Sequence, residues 1–351
     1  MTKAVITADL HLKRKPGLWS GRAEITGDDE YALSQIIDYT LEHDADLYIL
    51  GDMFDSVSNI PRPMVIMKEQ LLRLGPDKIV RYIQGNHEMI TGAAHEQRPW
   101  LDIFPGTEDI NAVAFDFLGK RAYALEYFPL AYAPLALSSI PADTQVLFLH
   151  GTIDTVTEFN YHFEESMLPE TIKYVFAGDW HEHFDISLES GAKLYYPGST
   201  YLCSAAESPE KFFLTVDMID NALVIESVPL KGRNITKLST LRQQGKLEVL
   251  SDDTLPEALQ RPVVIIDEPC SPDEYQLLSS QAHLYTLGKA SAKVEQTTVI
   301  ADTLSNEEIL EQYIDKEKHG DEFAFVLDVI DNPVADAIDR LKEKLGMCIE
   351  G

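Results

Sequence analysis

The chain is poor in cysteine. Cys203, Cys270 and Cys348 are three in 351 residues, widely spaced and without a CxxC pair. That argues against a disulfide framework or a thiolate zinc site and leaves buried, inert thiols. Long apolar runs are also missing, for none approaches the roughly 20 residues that span a bilayer. The opening MTKAVITADLH reads as a short strand, not as a charged-then-apolar signal peptide, so a cytoplasmic protein is expected. Positive charge is scarce: 29 Lys and Arg stand against 58 Asp and Glu, a formal net charge of -29. This is the wrong sign for a protein whose duplex affinity comes from cations meeting phosphates. The deficit is uneven, with 22 acidic against 8 basic side chains in residues 251–351. Such a stretch is a solvated surface that aids solubility, or a face for a basic partner. No internal repeat or low-complexity tract stands out.

What is present is a globular composition, 45% apolar, with length enough for two or three units. The first 230 residues alternate apolar, β-branched runs with helical spacing, which predicts an α/β fold. Strands are expected at Ala4–Ala8, Leu47–Leu50, Ile79–Gln84, Val146–Leu149, Tyr174–Ala177 and Lys193–Tyr196, with amphipathic helices at Asp29–Glu42 and Pro63–Leu74. A strand pair, Phe212–Asp217 and Leu223–Val228, precedes PLKGRN, which reads as a linker. Beyond it, Val263–Ile266, a helix Pro272–Gln281 and Ala282–Leu287 suggest a small βαβ-like unit. Ser305–Tyr313 and Val334–Leu345 read as short helices around a strand at Phe323–Val329. Three parts are therefore expected, at 1–230, 231–303 and 304–351.

The strand ends carry the chemistry. The first runs into Asp9 and His11, the second into Asp52 and Asp55, the third into Asn86, His87 and Glu88, the fourth into His150, and the fifth into His181 and His183. Five of the ten histidines sit just past an apolar strand; the other five, His43, His95, His162, His283 and His319, fall in helices or loops and read as surface residues. Residues two apart on a strand point the same way, which places Asp9 with His11 and His181 with His183. Ligands gather at the carboxyl ends of strands in α/β sheets. Carboxylates and imidazoles crowded there are costly unless something positive lies among them, and a divalent metal is the economical answer. Mixed imidazole, carboxylate and amide donors suit Mn, Fe or Zn. Seven candidate ligands among these side chains are too many for one ion and suited to two, which at roughly 3.5–4 Å apart would clamp a phosphoester.

In this order DLH, GDMFD, GNHE, HG and HEH resemble the five motifs of the calcineurin-like metallophosphoesterases, over about 180 residues. Within that superfamily the chain most resembles SbcD-type nuclease subunits of SbcCD complexes. GDMFD, the later YYPGSTY, the PLKGR exit and the small unit beyond it carry that likeness, and the compact length is similar to phage-encoded versions. The resemblance implies a four-layer α/β/β/α sandwich with a small α+β capping, DNA-binding domain and C-terminal helices. It implies two divalent metals, Mn²⁺ foremost, one held by Asp9, His11, Asp52 and His183, the other by Asp52, Asn86, His150 and His181. Asp52 then bridges, His87 acts near the leaving group, and water activated between the cations is the nucleophile. The implied activity is DNA exonuclease and endonuclease cleavage in end processing, recombination and repair. The implied partners are DNA, an SbcC-like ATPase gripped by the C-terminal segment (Ile309, Leu310 and Tyr313 as anchors) and a second copy of the chain. Met64, Ile66, Met67 and Leu71 are candidate dimer contacts, ordinary packing on the sheet being the other reading.

Two departures stand out. The last motif of the family is Gly-His-x-His, whereas Trp180 precedes His181 here and the glycine is Gly178, so the roles of His181 and His183 are open to exchange. Glu88 stands where the family more often has Asp. Asp55-Ser56-Val57, in place of Asp-Arg-Gly, argues against a protein phosphatase. Lys13, Arg14 and Lys15 form the one basic cluster near the motifs, a phosphate contact or a solvated loop. A small-molecule phosphodiesterase using the same metals, and a non-catalytic DNA-mimicking scaffold, are the alternatives; the scaffold predicts broken motifs, and every ligand position is filled.

Overall fold

Alternation along the first strands sets the architecture. In β1 (Ala4–Thr7) and β2 (Asp46–Leu50), Ala4, Ile6, Tyr48 and Leu50 face one side while Val5, Leu47 and Ile49 face the other, and all are buried. A strand buried on both faces lies in the middle of a layered structure. A computed structural model describes residues 3–12, 26–55, 61–75, 77–89, 106–157, 161–204 and 206–286. Lys13 to Lys15 and the expected elements beyond residue 303 lie outside them.

The first sheet has the order β12-β11-β1-β2-β3-β4, adding β3 (Val80–Ile83), β4 (Thr107–Asp109), β11 (Lys211–Ile219) and β12 (Ala222–Leu230). Strands β1 to β4 are parallel, and β11 runs antiparallel to both β1 and β12. The second sheet is β5-β6-β7-β8-β10-β9: β5 (Ala114–Phe117), β6 (Lys120–Leu125), β7 (Val146–His150), β8 (Tyr174–Gly178), β9 (Phe184–Ser187) and β10 (Lys193–Tyr196). Between the sheets a stack of rings crosses from Tyr48 to Phe148, Phe176 and Tyr195 at centroid spacings of 5.3, 5.4 and 5.5 Å. Each such buried phenylalanine contributes about 1.5–3 kcal/mol by leaving water.

The outer face of the first sheet is covered by α1 (Asp28–Glu42) and α2 (Pro61–Leu74). Helix α1 opens with Asp28, Asp29 and Glu30, which suit the positive end of the helix dipole. It buries Leu33, Ile36 and Ile37 against Ile66, Met67 and Leu71, with Met64 packed alongside. These four α2 side chains are therefore spent in the chain's own core. The outer face of the second sheet is covered by the short α3 (Ala133–Ser138) and adjoining loops. The result is a mixed α/β sandwich with two central β layers and helices outside.

PLKGRN is not a loose connection. Arg233 is buried, pairs with Asp28 at 3.2 Å, and donates to the carbonyls of Thr26, Ala258 and Arg261. It ties the start of α1 to a third, all-parallel sheet of β13 (Ile235–Lys237), β14 (Val263–Ile266) and β15 (His283–Thr286). Helices α4 (Leu238–Gln243), α5 (Glu257–Gln260) and α6 (Pro272–Gln281) accompany it. Leu202 packs on Val263 and Ile265 of this sheet. No helix among the described residues is long and apolar enough to cross a membrane.

Candidate metal centre

Strands β1, β2 and β3 of one sheet and β7 and β8 of the other run out at a shared rim. His150, the last residue of β7, crosses between the sheets, its Nδ1–H donating to the Leu50 carbonyl at 2.7 Å. The ring fits because two glycines leave room: a Cβ on Gly51 or Gly178 would stand 2.2 or 2.8 Å from Nδ1, and Gly51 also has a φ of +84°.

Past the strands the backbone turns sharply. Asp9, His11, Asp52 and Asp179 have φ of 51, 39, 50 and 85°, a left-handed conformation that costs a non-glycine residue on the order of 1–3 kcal/mol. Strand alternation predicts Asp9 and His11 on one strand face. Instead β1 stops at Thr7, and left-handed turns, braced by Asp9 N–H to Gly51 O (3.1 Å) and His11 N–H to Asp52 O (2.9 Å), hold the pair at the rim.

Asp52 is central. Its Oδ1 lies 3.5 Å from His150 Nε2, while its Oδ2 lies 3.6 Å from His11 Nε2 and 3.8 Å from His87 Nε2. Burial pushes its pKa up, but His150, His11 and His87 together hold the carboxyl below the usual range. Burial pushes His150 down, and Asp52 more than reverses this, leaving it well above an ordinary imidazole. For Asp9 burial prevails over His181 and His150 and takes the carboxyl to about 7.

The imidazoles are oriented from behind. Nδ1 of His87 meets the Asp55 carbonyl at 2.7 Å, that of His181 meets Glu207 Oε1 at 2.9 Å, and that of His183 meets the Tyr196 carbonyl at 3.0 Å. Each partner can only accept, as Leu50 O does for His150, so a hydrogen sits on Nδ1 and Nε2 is the nitrogen left to meet a cation. Nε2 of His181 then faces Nε2 of His11 at 3.0 Å, a distance that calls for a shared proton or a cation. The Asn86 amide lies against His150 Nε2 at 3.3 Å and both oxygens of Asp52; its nitrogen can donate to them, and its oxygen can face them with a cation among them. Oxygen and imidazole donors without a thiolate pair suit divalent metals. Clusters of Asp9, Asp52 and His150, and of His11, Asp52 and His87, bring their ligand atoms within 4.8 Å of one another.

Further out, Glu207 accepts from His181 and, through Oε2, from Lys211 Nζ (2.7 Å), Ser199 Oγ (3.1 Å) and Cys203 N–H (3.0 Å). Burial opposes its charge, but His181 and Lys211 bring Glu207 down to about 2. Glu88, fully buried, accepts from the amides of Asp52 and Phe54 at 2.9 Å and of Gly85 at 2.8 Å. Burial and Asp52 push it up to about 8.

Of the seven ligands expected from sequence, six come together. Asp52 joins His11 to His150, Asn86 lies against both Asp52 and His150, His181 faces His11, and Asp9 completes the Asp52–His150 cluster. His183 does not join them: among the described residues its ring lies against Phe212, at 4.5 Å. His181 and not His183 is thus the neighbour of His11, and His183 does not take the place of His181 beside Asn86 and His150. Asp179, absent from the expected set, lies 3.8 Å from His150 Nε2. Its signal was available, since Gly-Asp follows β8 as it follows β2. His162, expected at the surface, is partly buried, with Nδ1 3.5 Å from Asp179 Oδ2 and its ring 5.0 Å from Tyr127. His283 is also buried, at the start of β15. Cys203 comes close to His11 and His181. Nothing in the spacing of His162, Glu207 or Cys203 announces these positions.

No family model matches the chain, and no curated protein matches it. Among solved structures, a dimetal phosphatase from Danio rerio is similar at 11% identity and a TM-score of 0.45, over 66% of this chain and 98% of that one. An archaeal phosphodiesterase is similar at 12% identity and a TM-score of 0.36, over 65% and 100%. A predicted phosphoesterase from Streptococcus pneumoniae is similar at 11% identity and a TM-score of 0.32, over 65% and 89%. These likenesses are slight, and function is read from the centre itself.

Proposed function

We propose that the protein is a metal-dependent phosphodiester hydrolase of the metallophosphoesterase type, and more narrowly a DNA nuclease subunit that works with an SbcC-like ATPase. The observation that carries the reading is Asp52, whose two oxygens face separate imidazoles, His150 and His11, inside a buried set of oriented donors. Asp9, His11, Asp52 and His181 would hold one cation, and Asp52, Asn86 and His150 would share in holding a second. A divalent pair, Mn²⁺ being the first candidate, supplies Lewis-acid polarisation of a phosphoryl oxygen and acidifies water.

The chain's own part is orientation and proton transfer. His87 is a third exposed at the mouth, its Nδ1 fixed on Asp55 O and its Nε2 open toward the centre. As the imidazolium it can give the Nε2 proton to a departing oxygen. The buried ring of His11, edge-on to His87 at 4.7 Å, limits where that proton is delivered.

A small-molecule phosphodiesterase is the second reading, favoured by the net charge of -29, which repels a polyanion. The two are separated by nucleotide release from linear duplex DNA with Mn²⁺, comparing the wild type with His87→Ala. Release that His87→Ala abolishes while metal stays bound supports the nuclease and the proton donor together. No release from DNA beside rapid hydrolysis of bis(p-nitrophenyl) phosphate supports the second reading, and inactivity on both, with the ATPase partner present, defeats the hydrolase.

A further inference from the structure

We infer that Asp179 is a metal ligand on the His150 side of the centre, and that His183 is not a ligand at all. The inference rests on the two-cation reading above and deepens it by reassigning one position from imidazole to carboxylate.

The backbone of Asp179 is turned for this purpose. At φ 85° it occupies a conformation that L side chains rarely adopt, and its N–H donates to both oxygens of Asp9, at 3.2 and 3.1 Å. That brace sets the carboxylate beside His150, with Oδ1 3.8 Å from Nε2. The other neighbour, His162, does not neutralise it. Nδ1 of His162 accepts the Thr152 N–H at 3.0 Å, so it carries no hydrogen to offer Oδ2 at 3.5 Å. Among the described residues neither oxygen of Asp179 accepts a hydrogen bond. A carboxylate held at a strained position beside His150, with neither oxygen accepting a hydrogen bond, is costly unless a cation lies against it.

His183 is placed differently. Its ring packs on Phe212, and among the described residues it forms no ion pair with a carboxylate of the centre. The centre then has two unlike halves. One offers His11 and His181 with carboxylates; the other offers Asp52, Asp179 and the Asn86 oxygen with a single imidazole. The oxygen-rich half suits Mn²⁺ or Mg²⁺ over Zn²⁺.

The test is Mn²⁺ binding to the full chain, followed by calorimetry and by electron paramagnetic resonance. The wild type is expected to bind two ions. Asp179→Ala should bind one with little change and lose the other by at least tenfold in affinity, and His183→Ala should keep both. Asp179→His should restore two sites while shifting the second toward Zn²⁺ in competition, which separates ligation from misfolding. Two intact sites in Asp179→Ala, or one lost in His183→Ala, overturns the assignment. A wild type that takes up no Mn²⁺ overturns the two-cation reading itself, and the assignment with it.

Discussion

The rim where β1, β2, β3, β7 and β8 end and the small parallel sheet β13–β15 are built on opposite principles. At the rim, four non-glycine residues hold left-handed backbone, and carboxylates are buried with pKa values of about 7 and 8. In the small sheet, among the described residues from 235 to 286, no non-glycine residue has positive φ. Its helix α6 begins with a complete capping box, in which Ser271 and Glu274 satisfy each other's backbone amides. Arg242 pairs with Glu268 and Glu274. The small unit satisfies its polar groups locally, whereas the rim withholds that satisfaction and depends on an outside charge. At the rim strain and unmet electrostatics coincide, and the small unit shows no such coincidence.

The largest effect that could break this comparison is at its centre. Asp52→Asn should lower phosphodiester hydrolysis by about 10³-fold, the loss of several kcal/mol of charge stabilisation, in a steady-state assay at saturating Mn²⁺. A fall below tenfold would mean Asp52 is not the shared ligand. Next is the pH response of the metal-free protein. Asp9 and Glu88 have raised folded values, so the folded state holds protons that the unfolded chain has released, and stability falls as pH rises from about 4 to about 8. His150 is raised as well, and its contribution is lost as pH climbs past its folded value, in the same direction. Thermal unfolding should thus show a metal-free midpoint that drops between pH 5 and pH 8, and Mn²⁺ should flatten the drop; a midpoint that rises would refute it.

How far the rim could be read beforehand depended on the kind of signal. Short apolar runs ending in Asp, Asn or His marked β1, β2, β3, β7 and β8, and with them six of the seven expected side chains that the structure brings together. Orientation was not legible, because the side-chain period of a strand says nothing after the strand ends. Left-handed turns, not alternation, bring Asp9 and His11 to the rim, and the segment after β8 sends His181 inward and His183 onto Phe212. The hairpin β5–β6 escaped because Ala114–Phe117 alternates weakly and its turn residues, Leu118 and Gly119, include a leucine at φ 50° that no turn preference predicts. Glu207 escaped since its partner at the centre, His181, lies 26 positions away in sequence and meets it only once β10 and β11 are in place.

Smaller effects sharpen the contrast. Glu207→Gln removes a charge-assisted hold on His181, and loss of such support costs about 10–100-fold in metal affinity; Mn²⁺ titration measures it, with an unchanged affinity counting against the role. Smallest is Ser271→Ala in the small unit. It removes one half of the α6 capping box, about 1 kcal/mol of stability by chemical denaturation, and should leave hydrolysis untouched. A loss of activity there would show that the small unit takes part in the chemistry after all.

Glu88 has a dimensional consequence. Its two oxygens reach the amides of Asp52 and Phe54 on one loop and of Gly85 on another, so this side chain is a strut between the loop that bears Asp52 and the loop that bears Asn86 and His87, beside the His87 bonds to Asp52 Oδ1 and Asp55 O. A strut works by its length. Aspartate, one methylene shorter, would keep the carboxyl group and draw the loops together, narrowing the gap across which Asp52 and Asn86 face each other. The calibre of the centre is thus written in one carbon atom.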